Sequence, residues 1–80
     1  MIRMAKQTRL KPEEIIGRAV KFFGENGEQL DEKDRSRCCI HFEGGGGYVA
    51  VSIVEERSAR TIDVETREFE YQVKRFLETL

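Results

Sequence analysis

The sequence predicts an α+β domain in which a helix, a three- or four-stranded antiparallel meander sheet and a second helix follow one another, with both helices packed on one face of the sheet. Three observations predict it. An apolar stripe recurs at helical spacing through Ile15, Ile16, Ala19, Val20 and Phe23; a second runs through Phe69, Val73, Phe76, Leu77 and Leu80; between them, apolar residues alternate with period two. Eighty residues make one domain, since a chain this short cannot support two cores. Residues 1–10 are expected to form a flexible basic arm and residues 11–80 the domain.

The first helix is expected to open at Pro12, whose missing N–H would lack a partner in the first turn. Glu13 and Glu14 then place negative charge at the positive end of the helix dipole. Gly24, Asn26 and Gly27 are expected to end it as residues that tolerate the left-handed conformation. For the second helix, Thr66 is the expected N-cap, with Glu68 in the first turn.

In the middle of the chain, Cys38, Ile40 and Phe42 alternate with Cys39, His41 and Glu43. Val49, Val51 and Ile53 alternate with Tyr48, Ala50, Ser52 and Val54, and Ile62 and Val64 with Thr61, Asp63 and Glu65. These are strands with one buried face. A hairpin loop at Gly44–Gly47 sets Phe42 opposite Val49, Ile40 opposite Val51 and Cys38 opposite Ile53; a second turn at Glu56–Ala59 sets Ile53 opposite Ile62 and Val51 opposite Val64. Inward residues meet inward residues throughout, as register requires. Glu28–Glu32 is a candidate first strand with only Leu30 to bury, followed by a charged turn through Lys33, Asp34 and Arg35.

The net charge of −1 is uneven. Arg3, Lys6, Arg9 and Lys11 stand without an acid among residues 1–12, which gives +4 and leaves −5 for the rest. Such an arm is a candidate nucleic-acid contact, although four spread charges fall short of a dense basic cluster. The cysteines, Cys38 and Cys39, are adjacent, which is no disulfide framework and points to a reducing compartment. With no apolar run of the roughly 20 residues a membrane helix needs and no signal-peptide pattern, a cytoplasmic protein without membrane contact is expected.

Candidate binding residues gather on the outward face of the sheet and its hairpin. Cys39, His41, Tyr48, Ser52 and Asp63 share that face, and Gly45 and Gly46 lie at the tip of the loop. Phosphate-cradling glycine loops lead from a strand into a helix, whereas these glycines join two strands with no lysine or serine after them. Four glycines exceed the need of a turn, and closure over a partner is one reason for an excess. Cys39, His41, Asp63 and Glu65 are the alternative metal ligands; zinc takes such donors, but a flat strand surface converges them poorly. Cys39 and His41 stand too far apart for a nucleophile pair, roughly 7 Å along the strand. Cys38 is expected in the core.

The order helix, three strands, helix resembles that of double-stranded RNA-binding domains, which open their second helix with a basic cluster. Here that position reads Thr66, Arg67, Glu68, Phe69, Glu70. With a fourth strand, the order also resembles half of a TATA-binding-protein saddle. Neither resemblance extends beyond the order of elements, and fold alone carries no function. No catalytic set and no cofactor motif is present in the sequence. The residues favour a non-enzymatic interaction domain that associates with a protein partner or a second copy through the open sheet face.

Overall fold

Two helices lie on one face of a five-stranded antiparallel sheet in the computed structural model, which describes residues 2–57 and 59–80. The elements are β1 (Ile2–Thr8), α1 (Pro12–Phe23), β2 (Asp31–Arg35), β3 (Cys39–Gly44), β4 (Gly47–Glu56), β5 (Ala59–Arg67) and α2 (Glu70–Glu78). The spatial order is β1-β5-β4-β3-β2. The last four strands form the expected meander, and β1 returns to the far side of β5.

The core is the layer between helices and sheet. Ile15, Ala19 and Phe23 of α1 and Val73 and Phe76 of α2 are fully buried against Phe42, Val49, Ile62 and Val64. The two hairpin registers are as the alternation demands: Phe42 faces Val49, Ile40 faces Val51, and Val51 and Ile53 face Val64 and Ile62. Where the helices converge, Phe23 has its ring centroid 4.9 Å from Phe22, 5.7 Å from Phe42 and 5.1 Å from Phe76. Such tilted aromatic contacts add to the area they bury.

Five strands, rather than three or four, correct the sequence expectation, and the added strand is the segment expected as a free arm. Ile2–Thr8 pairs with β5 without interruption, from Ile2 opposite Thr66 to Thr8 opposite Arg60. Lys6 falls on the helix side, opposite Ile62, and its Nζ donates to the Leu77 carbonyl at 2.7 Å. Arg18 Nη1 donates to the Thr79 carbonyl at 2.7 Å. Two cations thus complement the negative end of α2.

The first of the meander strands is Asp31–Arg35, not Glu28–Glu32. All five of its residues are exposed, and its register shifts between Glu32 and Asp34. Leu30 is buried just ahead of it, so the apolar anchor lies outside the strand. Arg35 donates to both Glu32 carboxylate oxygens, at 2.8 and 2.7 Å; this hydrogen bonding holds the Glu32 carboxyl below the usual glutamate range despite some desolvation.

The termini of the helices also differ from expectation. Thr66 is a fully buried β5 residue whose Oγ1 donates to the Tyr48 carbonyl at 2.7 Å, and Phe69 occupies the N-cap of α2. After α1, Gly24 keeps a negative φ and the left-handed residue is Gln29 (φ 63°).

The glycine hairpin is tighter than a four-residue loop. Gly44 pairs with Gly47, leaving Gly45 (φ 57°) and Gly46 (φ 83°) as the turn, the backbone of a type I′ connection. Gly47 is required for a different reason: a Cβ there would collide with the Arg67 carbonyl. Three of the four glycines, Gly45, Gly46 and Gly47, thus follow from local geometry.

Candidate functional site

The side of the sheet away from the helices is uncovered. Across it, Ser52 lies between Cys39 and Asp63, and Ala50 lies between His41 and Glu65. Those neighbours were expected from the sequence. Missed was β1, which adds Arg3 opposite Glu65 and Ala5 opposite Asp63.

Arg3 organises one end of this face. Its Nε lies 3.3 Å from Asp63 Oδ1 and its Nη2 3.3 Å from Glu65 Oε1. Asp63 Oδ1 is shut off from solvent and has no aligned hydrogen-bond donor, so the ion pair is its one compensation. Glu65 Oε2 accepts a 2.5 Å hydrogen bond from the Tyr48 hydroxyl. That bond, with burial and the carboxylate charge adding to it, pushes the Tyr48 hydroxyl above the ordinary tyrosine range. The Tyr48 ring stacks on His41 at 5.7 Å between centroids, nearly parallel at 10°, while the Arg67 guanidinium lies 5.7 Å from its centre. His41 Nε2 lies 3.0 Å from Glu43 Oε2. Along the middle of the face runs the weakly polar row of Tyr48, Ala50, Ser52 and Val54, and Val54 is 48% exposed.

The suggested metal ligands do not gather. Asp63 and Glu65 are engaged by Arg3, Cys39 is bonded to Cys38, and among the described residues no three His, Cys, Asp or Glu side chains form a cluster able to hold an ion. The four basic residues of the N-terminal segment are likewise divided. Arg3 and Lys6 point to opposite faces of the sheet, and Arg9 and Lys11 follow β1 as exposed residues. Gly45 and Gly46 sit at the sheet's end, beside a shallow hollow that includes Tyr48, Arg67, Lys33 and Glu43.

Two expectations for the cysteines are corrected. Cys38 and Cys39 form a disulfide between adjacent residues, so Cys39 presents no free thiol. Cys38 is exposed rather than buried, just ahead of β3, which begins one residue later. A concavity of about 830 Å³ opens beside it and is walled by Pro12, Ile16, Arg35, Arg37, Ile53 and Glu55 among others.

What these features define is a small α+β domain with a two-helix layer on a five-stranded antiparallel sheet. No helix among the described residues is long and apolar enough to cross a membrane. No protein-family model, curated protein or solved structure matches the chain.

Proposed function

We propose that this chain is a non-enzymatic association domain that pairs with a second copy, using the open side of its sheet and the β1 border of that side. One observation carries the reading: one face and one edge of the sheet are closed, whereas the opposite face and edge are not. The helices cover the inner face. The β2 edge is five charged residues long with a register shift, the kind of edge that resists strand addition. The β1 edge is seven residues long, regular, and carries only Arg3 and Lys6 as charges.

The hydrogen-bond phase identifies which β1 groups are free. The Ile53 N–H donates to the Cys38 carbonyl at 2.8 Å, which makes that pair a bonded one. Alternation across β4 and β5 then turns the odd residues of β1, Arg3, Ala5 and Gln7, outward from the sheet. An antiparallel pairing of two β1 strands centred on Ala5 brings Arg3 opposite Gln7 of the second copy. No like charges oppose each other, and the two open faces join into one surface.

Light scattering across protein concentration tests the proposal. A dimer is expected, and Ala5→Pro, which removes an outward N–H while leaving the β5 ladder intact, is expected to return it to monomer with an unchanged circular dichroism spectrum. A wild-type chain that stays monomeric at millimolar concentration refutes it.

A further inference from the structure

The disulfide between Cys38 and Cys39 is unaccounted for by stability. A disulfide stabilises mainly by closing a loop in the unfolded chain, and the effect grows with loop length. Adjacent residues close no loop. Their Cα atoms are only 3.7 Å apart, below the usual range of about 4.4–6.8 Å for bridged cysteines. The bond also sits where a reagent can reach it: Cys38 is exposed and Cys39 half-buried. Structural disulfides are typically the inaccessible ones, and exposed ones are the labile and catalytic ones.

The surroundings suit exchange chemistry. Arg35 and Arg37 line the 830 Å³ cleft together with Cys38, and positive charge in such surroundings favours the thiolate over the thiol. Ser36 Oγ lies 3.6 Å from Cys38 Sγ, where a hydroxyl can donate to a thiolate on that sulfur. The backbone is held on both sides, since the Ser36 N–H donates to the Cys39 carbonyl at 2.8 Å and the Ile53 N–H to the Cys38 carbonyl at 2.8 Å. The ring can therefore open while its flanks stay anchored to β4 and to the β2–β3 connection.

We infer that Cys38–Cys39 is a two-electron thiol–disulfide exchange site whose substrate is a small zwitterionic thiol of the amino-acid or short-peptide class, seated in the cleft beside Cys38. The choice of substrate follows from the lining: Arg35 and Arg37 offer positive charge to a carboxylate, Glu13 offers negative charge to an ammonium group, since Glu55 is held by Arg60, and Pro12, Ile16 and Ile53 supply an apolar floor. Arg35 is already engaged by Glu32, which leaves Arg37 as the carboxylate partner. The substrate thiolate attacks Cys38 Sγ; a mixed disulfide forms, the Cys38–Cys39 bond breaks, and Cys39 leaves as a thiolate that takes a proton from water. A second substrate thiolate attacks the substrate sulfur of the mixed disulfide and releases Cys38 as a thiolate, which also takes a proton from water. Two substrate thiols have then lost two electrons and two protons to form a disulfide, and the protein has gained them as a dithiol. The reverse sequence, driven by the substrate disulfide, restores the ring. The site lies away from β1, so it does not depend on the association reading.

Alkylation of the full chain, before and after reduction and followed by intact mass, gives the first test. No label is expected before reduction and label on both sulfurs after it; labelling of both sulfurs without reductant overturns the inference. The second test measures reduction rates with cysteine, glutathione, cysteamine and 2-mercaptoethanol. Arg37→Ala is expected to slow cysteine and glutathione about tenfold more than cysteamine and 2-mercaptoethanol, the effect of a lost charge-assisted contact of roughly 1.4 kcal/mol, since any loss of thiolate stabilisation acts on all four alike. Equal slowing of all four, or of none, overturns the assignment of the substrate class. Arg37 is exposed, so its replacement leaves the fold intact, and an unchanged circular dichroism spectrum verifies this.

Discussion

Tyr48 donates its phenolic hydrogen to Glu65 across the β4–β5 boundary, on the side of the sheet away from the helices. Because Glu65 accepts that hydrogen bond, the folded protein holds the Tyr48 proton more tightly than the unfolded chain does. A group whose folded value is raised contributes stability fully below its unfolded value, and the contribution disappears as pH rises through the folded one. The expected outcome is a loss of stability beginning near pH 10, the ordinary tyrosine value. Ultraviolet titration should place Tyr48 above that value, and Glu65→Gln should bring it down. A titration insensitive to this change would dissolve the link.

Phe23 is the side chain on which the two helices and the sheet agree, touching Phe22, Phe42 and Phe76 while itself fully buried. Phe23→Ala should cost about 3–5 kcal/mol, a large share of what so short a chain can hold. Urea unfolding of the variant, with its midpoint compared at constant slope, measures the loss.

Gly46 and Gly47 make opposite demands. Nothing stands within 4 Å of a Cβ on Gly46, and its only obstacle is a φ of 83°; Gly46→Ala should cost about 1–2 kcal/mol. At Gly47 the added carbon meets the Arg67 carbonyl and Glu68 Cβ, so Gly47→Ala requires β4 and the end of β5 to separate. Thermal melting should rank Gly47→Ala well below Gly46→Ala, with the milder change lowering the midpoint by roughly 4–8 °C per kcal/mol.

Deleting residues 2–8 distinguishes a strand from an arm. Loss of β1 uncovers the β5 ladder from Arg60 to Thr66 and removes the Lys6 contact to α2, so cooperative unfolding should be lost or sharply weakened. A free arm would leave the transition where it was. Lys6→Met alone should cost about 0.3–1 kcal/mol, less in high salt, as expected for a cation at a helix C-terminus.

The middle of the fold was legible because its chemistry is monotonous: Val49, Val51 and Ile53 oppose Ile40, Phe42, Ile62 and Val64, and only one register aligns them. β1 was illegible for the converse reason. Its inward row is Ile2, Met4, Lys6 and Thr8, and a lysine in the middle reads as solvent-facing until α2 supplies a carbonyl for its amine. β2 has no inward apolar residue at all and exists through pairing with β3. Of the candidate residues, the face shared by Cys39, His41, Tyr48, Ser52 and Asp63 could be read from period two. The Arg3 pairs could not, since they depend on a strand that returns from the other end of the chain. Nor could the bond between Cys38 and Cys39, because alternation sends neighbouring side chains to opposite faces.

The five charges of β2 have a consequence for growth. Sheets that can add neighbours at both borders propagate without limit, and that is how fibrils begin. With Asp31, Glu32, Lys33, Asp34 and Arg35 on one border, that border discourages addition, and in the pairing we propose two copies joined at the other border would exhaust each other's free groups. Such an assembly would stop at two copies.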